Sequence, residues 1–385
     1  MKKQALSHIP TVMLALDKAR VASRGFLRGI AQYGHLHGPW KFVSTPPVYR
    51  LTQKDPPEQL KHVDGRITYV LDCKQASHFK QQSIPTIAIP VRDLFKDLIS
   101  IVGDWQTTGL LGANHFLERG FRHFAFCGYR DFIWSRKRCQ AYCQVLKAQG
   151  FKPHLYEGPA NDQNIPWEQE RPQLTQWLLQ LPKPVGIMAC NDDRGENIIQ
   201  ACRLGDLHIP EDVAILGVDN DDLLCDLADV PLSSIALNFE KAGYDAAALL
   251  DKHMRGYRPR QRKITLHSRR VITRRSTDML AVSDPDVAQA LKLIHRHDGP
   301  PLTVADITQA IPLSPRSLQM RFKKLLGHSI QDEIIRVRIE QAAQLLEQTN
   351  MPVSQIAHHL GYSEPSDFNR CFRRVKQLTP RAYRK

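Results

Sequence analysis

The chain has 385 residues, 42% hydrophobic and 24% charged, with 53 Lys and Arg against 39 Asp and Glu, a formal net charge of +14. That length predicts two or three packing units and the mix excludes wholesale disorder. No run approaches the ~18 apolar residues of a membrane span, the eight cysteines form no C-x-x-C pair and the sixteen histidines no H-E-x-x-H, so the expectation is a cytoplasmic chain without a disulfide framework, metal or cofactor.

In chain order, short β-branched runs at Pro10–Leu16, Gly65–Leu71, Thr86–Ile89, His123–Gly128, Gly186–Cys190 and Val213–Val218 each precede a helix-like or turn-like segment. Between them, spacings such as Gly109, Leu110, Ala113, Phe116 and Leu117 are helical. This alternation predicts an α/β fold of mostly parallel sheets covered by helices. It persists over residues 1–275, too long for one sheet unit, so two similar lobes are expected.

From Lys252 to Arg275 there are ten Lys or Arg and no acid, which fits either a DNA contact or a solvated strand and hinge. Residues 276–283 are polar and read as a linker. From Asp284 to Lys385 no strand-like run occurs, and helices are predicted over 284–297, 303–309, 315–326, 329–348, 353–359 and 365–376. A C-terminal all-α domain of two helix-turn-helix motifs follows.

In the first motif Val304, Ile307, Leu318, Phe322 and Leu325 supply the shared core, leaving Arg316, Ser317, Gln319, Met320 and Lys323 as candidate DNA contacts. In the second, Val353, Ile356, Ala357, Leu360, Phe368 and Phe372 are the core, and Ser366, Asp367, Asn369, Arg370 and Arg373 face outward. Ser314 caps, Pro315 and Pro365 fit first helical turns, and Gly361 supplies the turn of the second motif. Arg316 suits guanine O6/N7, Gln319 and Asn369 suit adenine N6/N7, and Lys323, Arg373 and Arg374 suit phosphate. Arg370 fits either base reading or backbone clamping.

These residues resemble the AraC/XylS family of transcription regulators. The resemblance rests on Ile356-Ala357, Gly361-Tyr362, Phe368, Arg370, Phe372-Arg373, Thr379-Pro380 and Tyr383-Arg384. It implies double-stranded operator DNA as partner, with RNA polymerase a family expectation.

In the α/β region, Asp192 and Asp219 lie where strands end, the place where open α/β sheets bind ligands. Each can accept two hydroxyl hydrogen bonds, with Arg194 beside them to fix orientation. Read alone, such acids serve as loop caps as often as ligand contacts. The stretches Gly217-Val218-Asp219-Asn220 and Asn191-Asp192 are similar to the sugar-cleft segments of the LacI-type, periplasmic-binding-protein-like effector domain. That resemblance implies a two-lobed sensor with Asp17, Arg20 and Arg24 facing the same cleft.

A LacI-type sensor followed by an AraC-type domain is the order found in xylose-operon regulators, to which FRHFAFCGY and VITRRSTD are also similar. Xylose is then the expected effector, with Trp134 as an aromatic platform and Arg138 as a donor pair. Trp134 is equally compatible with a place in the core. A ligand-gated activator acting as a homodimer is the reading adopted. Its rivals are the same architecture with another sugar, a constitutive DNA-binding protein, and an α/β sugar enzyme with a DNA-docking tail. For the enzyme no nucleotide-binding or G-x-S-x-G motif is present, so no catalytic residue is assigned.

Overall fold

Near-continuous apolar runs such as TIAIP, VGIMA and VAILGVD form strands buried along almost their whole length, as parallel strands covered on both faces must be. The computed structural model describes residues 8–44, 63–158, 167–257, 262–282, 284–295, 302–376 and 378–384. They pack as two units, one of residues 1–116 with 122–279, the other of 280–385 with 117–121.

The first unit contains two six-stranded sheets. The strands are β1 (Thr11–Ala15), β2 (Lys41–Ser44), β3 (Gly65–Val70), β4 (Thr86–Pro90), β5 (Ile99–Gly103), β6 (His123–Tyr129), β7 (His154–Gly158), β8 (Val185–Ala189), β9 (Val213–Asp219), β10 (Ser233–Leu237), β11 (Lys263–Leu266) and β12 (Ser268–Ile272). The helices are α1 (Val21–His37), α2 (Cys73–Gln81), α3 (Trp105–Leu117), α4 (Ile133–Ala148), α5 (Trp167–Gln180), α6 (Asp192–Leu204), α7 (Asp222–Leu227) and α8 (Phe239–Met254). One sheet runs β11-β5-β4-β3-β1-β2, all parallel, and the other β12-β10-β9-β8-β6-β7 with only β12 antiparallel to its neighbour. The expected two-lobed α/β fold is what the chain adopts.

The chain passes between the lobes after β5, after β10 and after β11. These crossings are tied together, Asp104 N donating to Leu266 O and Asn238 N to His267 O, both at 2.9 Å. In the first lobe α1 lies directly against α8, and a Cβ at Gly29 would stand 1.9 Å from the Glu240 carbonyl. That approach admits only glycine.

Four strands, β2, β5, β7 and β10, escaped the sequence reading, and β11 and β12 fall in the basic stretch where a solvated strand was one of two alternatives. β2 and β7 are exposed sheet-edge strands, while β11 and β12 carry the charges of the basic stretch, so the described part of that stretch is largely strand and crossover. Residues 258–261 of it lie outside the described residues, as do Ser283 of the expected linker and residues 296–297 of the expected first C-terminal helix. Ser276 and Thr277, read as linker, are fully buried in the first unit, where hydroxyl hydrogen bonds outweigh their polar composition.

The second unit holds α9 (Pro285–His295), α10 (Val304–Gln309), α11 (Pro315–Leu326), α12 (Ile330–Gln348), α13 (Val353–His359), α14 (Pro365–Lys376) and α15 (Pro380–Arg384). Two cores share α12. Ile330 and Ile334 pack with Ile307, Leu318 and Phe322, whereas Ile339, Ala342, Ala343 and Leu346 pack with Ile356, Ala357, Phe368 and Phe372. Capping boxes Thr303/Asp306 and Ser329/Asp332 start α10 and α12, and Ser314 caps α11, so each helix begins where the sequence satisfies its free N–H groups.

Candidate ligand cleft and nucleic-acid interface

The second lobe contributes the loop that follows β9. Asp219 (φ 107°) and Asn220 (φ 51°) are consecutive non-glycine residues in left-handed backbone regions, a strain of about 1–3 kcal/mol each that persists only where the surroundings enforce it. The enforcement is visible. Asp192 is 2% exposed and accepts from Ser234 Oγ at 2.5 Å and from Asp221 N at 2.8 Å, while Asn220 N donates to Ser234 Oγ at 3.0 Å. Arg138 on α4 donates from Nη2 to Asp219 Oδ1 at 2.8 Å and from Nη1 to Cys190 O at 2.5 Å.

Burial pushes the Asp192 carboxyl well above the usual carboxylate range, and the charge of Asp219 adds to the effect. Burial also raises the Asp219 carboxyl, opposed by the Arg138 guanidinium. Trp134 is half-buried and stacks on Phe132 with ring centres 5.2 Å apart and planes 13° from parallel, and Arg138 Cζ sits 5.4 Å from the Trp134 ring.

The first lobe supplies the turn between β1 and α1. Asp17 is buried and accepts from Ala19 N at 3.1 Å within the turn that precedes α1. Arg20 reaches across to Asp193, and Arg24 to Asp221 at 3.3 Å, so two guanidiniums meet two carboxylates between the lobes. Tyr69 at the end of β3 hydrogen-bonds Ser23 at 2.9 Å, and burial, with the nearby charges of Asp219 and Asp17, pushes its phenol up to about 12. A cavity of 430 Å³ beside the crossings is lined by Arg24, Arg28, Asp219, Asp221, Asn238 and Phe239 among others.

Asp17, Arg20, Arg24, Arg138 and Asp219 thus come together, with Trp134 against Arg138. The expectation that Arg194 orients Asp192 and Asp219 is corrected. Arg194 is 0% exposed and forms a two-pronged pair with Glu170 at 2.5 and 3.1 Å, its guanidinium lying beside Tyr129 and Tyr156. It belongs to the packing of α5 on α6, and Arg138 holds Asp219 instead. Sequence reasoning missed Tyr69 and Ser23. The available signal was a tyrosine at the carboxyl end of a buried strand.

In the second unit, α11 and α14 are each twelve residues long and begin with proline. Arg316, Gln319, Met320 and Lys323 are exposed along one face of α11, and Ser366, Asn369, Arg370 and Arg373 along the equivalent face of α14. Each set falls at i, i+3, i+4 and i+7, one side of a helix. Ser317 and Asp367 are half-buried, and Asp367 accepts from Arg370 at 2.5 Å.

A buried ion cluster braces α12. Glu333, 0% exposed, accepts from Arg336 at 2.7 and 3.0 Å and contacts His295 at 2.6 Å and His328 at 2.9 Å. Arg336 also meets Glu118 of the 117–121 segment at 2.7 Å. Burial alone would raise the Glu333 carboxyl, but Arg336 and the two imidazoles outweigh it and hold it well below its ordinary value. Among the described residues no group of three His, Cys, Asp or Glu could hold a metal.

Residues 113–277 match the model of the periplasmic binding protein-like domain, and residues 307–385 that of a helix-turn-helix domain. A xylose operon regulatory protein of Escherichia coli is 31% identical over 277 residues, 70% of this chain and 69% of its own length. That of Haemophilus influenzae is 29% identical over 97% of both chains. The chain belongs to the family of xylose operon regulatory proteins. A solved structure of the xylose-binding transcription activator xylR covers 98% of both chains at 25% identity, with a TM-score of 0.61. As a member of this family the chain is a DNA-binding transcription regulator of AraC type, its first unit a periplasmic-binding-like sugar-binding domain and its second a helix-turn-helix domain. No helix among the described residues is long and apolar enough to cross a membrane.

Proposed function

We propose that this chain is a cytoplasmic, xylose-responsive activator of a sugar catabolic operon, in which a sugar seated between the lobes changes the affinity of the helix-turn-helix domain for operator DNA. The observation that carries the reading is the cross-cleft set of Arg20 with Asp193 and Arg24 with Asp221, beside the Arg138–Asp219 pair and the Phe132–Trp134 stack. Carboxylates and guanidiniums answer hydroxyls in both senses, and an aromatic face answers sugar C–H groups.

In this reading Asp17, Arg20, Arg24, Trp134, Arg138 and Asp219 contact the sugar, while Asp192 fixes the β9 loop from behind. Arg316, Gln319, Met320 and Lys323 with Ser366, Asn369, Arg370 and Arg373 face DNA, and Ser317 and Asp367 order the first turns of those helices. Residues 1–275 with the buried Ser276 and Thr277 form the sensor, the rest of 276–283 the linker and 284–385 the DNA-binding domain. The active species is a homodimer spanning two half-sites and contacting RNA polymerase, and it binds its sugar without turning it over.

Titration calorimetry of the full chain against D-xylose, other pentoses, hexoses and sugar phosphates tests the ligand. Saturable heat with D-xylose, lost in D219N and unmatched by the other sugars, is expected. Selective binding of a different sugar would replace xylose, and no binding by any sugar would overturn the sensor reading.

A further inference from the structure

Arg274 lies outside the cleft, two residues beyond the end of β12, yet its guanidinium ends on the loop that carries Asp219. Nε donates to Asp226 Oδ1 at 2.7 Å, Nη1 to Asn220 Oδ1 at 2.9 Å and to Leu232 O at 3.1 Å, and Nη2 to Asp222 Oδ1 at 3.3 Å. The side chain is 14% exposed, whereas Asp222 and Asp226 are largely open to solvent. One cation therefore gathers three side chains of the segment from Asn220 to Asp226, which begins with the second of the two left-handed residues.

The Arg274 backbone is fastened just as closely to the chain that leaves the sensor. Its N–H donates to Ser233 Oγ at 2.8 Å, its carbonyl accepts from Ser233 Oγ at 3.0 Å, and the same Oγ meets Thr277 Oγ1 at 2.7 Å. Ser276 Oγ accepts from Ser233 N and donates to Ile215 O at 2.6 Å, and Thr277 also meets the buried His115 at 2.8 Å. Asp192 holds the β9 loop from within the lobe and Arg274 holds it from the exit strand. A displacement of Asn220, Asp222 or Asp226 would act on the hydrogen bonds of Arg274, two positions before the buried turn at Ser276 and Thr277.

We propose that Arg274 is a positioning residue that couples occupancy of the sugar cleft to the segment leading into the DNA-binding domain. The inference rests on the sugar-gated reading above. It requires no contact between Arg274 and the sugar or DNA. Arg274 transmits because a fixed planar fork bonds to several loop acceptors at once, and the loop has a strained backbone whose state those bonds bias.

The test uses the full chain, D-xylose, and a duplex enriched by the wild-type protein from a randomised pool. DNA affinity is titrated with and without saturating sugar, and sugar affinity is measured separately. Wild type is expected to show a ratio of at least about fivefold, the lower end of ordinary allosteric coupling. In R274M the ratio falls below about twofold, with sugar affinity and sugar-free DNA affinity each within about threefold of wild type. The double variant D222N/D226N, changed only at exposed carboxylates, reduces the ratio in the same direction and serves if R274M does not fold. Hydrogen exchange at residues 274–279 responds to D-xylose in wild type and not in R274M.

A wild-type ratio of one would overturn the sugar-gated reading itself. A normal wild-type ratio retained in both variants would overturn the role of Arg274 alone. Loss of sugar binding in R274M would also overturn it, placing Arg274 in the binding site rather than between the site and the exit segment.

Discussion

Replacing Arg138 with methionine keeps most of the aliphatic stem on α4 and removes the guanidinium that faces Asp219. The pair is nearly enclosed, with side-chain exposures of 7% and 21%. Removing one member of a buried pair ordinarily costs about 3–5 kcal/mol because the other charge is stranded. Here a ceiling applies, because a stranded carboxylate can take a proton. From an ordinary value of about 3.9, that costs about 1.4 kcal/mol per pH unit, or about 4 kcal/mol at pH 7. Burial already raises the Asp219 carboxyl in the wild type, so the expected loss at pH 7 is about 2–4 kcal/mol.

The pH dependence distinguishes this cause from simple loss of packing. In R138M the folded carboxyl titrates above its unfolded value, so the part of the penalty due to Asp219 is absent below about pH 4 and grows as pH rises toward the folded value, while the lost bond to Cys190 O adds a pH-independent part. At pH 5 the Asp219 part is at most about 1.5 kcal/mol. All five tryptophans (40, 105, 134, 167 and 177) precede residue 280, so urea unfolding followed by tryptophan emission reports the sensor. The double variant R138M/D219N should recover most of the loss at pH 7. A loss that is the same at pH 5 and pH 7, or a double variant no more stable than R138M, would refute this account.

Two further outcomes concern the second unit. K323A and R373A should each lower the slope of log affinity against log salt by about one, whereas R316A should relax preference at one base pair by about 1–3 kcal/mol, all read from titrations between low and moderate salt. E333Q should destabilise the helical unit by less than the about 3–5 kcal/mol of a fully stranded ion, because Arg336 keeps Glu118, measured by circular dichroism, with D-xylose binding unchanged. The depressed Glu333 carboxyl contributes stability that is fully present above about pH 4.3 and lost as pH falls through its folded value. The difference between wild type and E333Q should therefore shrink in acid, and a constant difference would remove the assigned cause.

The strands legible in the sequence were those whose two faces are both covered, since only they demand an unbroken apolar run. β1, β3, β4, β6, β8 and β9 met that condition. The exposed strand β7 (HLYEG) and the partly exposed β11 (KITL) carry the polar residues that loops also carry. At the cleft, sequence could place Asp192 and Asp219 at strand ends but could not choose their partners. Arg194, two residues from Asp192, turns toward Glu170, while Arg138, 81 residues from Asp219, closes on it. Neighbours at i and i+2 lie on different sides of a helix, so closeness in sequence argued against the pairing rather than for it.

The helix-turn-helix domain was legible for the opposite reason, because its caps, turns and apolar positions are all local. Those same residues carry the family resemblance: Ile356, Ala357, Phe368 and Phe372 are buried, and Gly361 takes the left-handed turn at φ 77°. The buried part of the signature therefore reports how the motif folds, while Arg370 and Arg373 of the same signature lie on the exposed face of α14. Arg316 stands opposite Ser366 in register, Gln319 opposite Asn369, Met320 opposite Arg370 and Lys323 opposite Arg373. Only the last pair keeps its charge, and Lys and Arg at that place suit phosphate. The amide pair at 319 and 369 shares adenine-type chemistry on stems of different length, and the remaining two pairs share none. In the proposed reading, two helices of equal length and register that agree in charge at 323/373, share amide chemistry at 319/369 and differ at 316/366 and 320/370 favour two unlike base sequences.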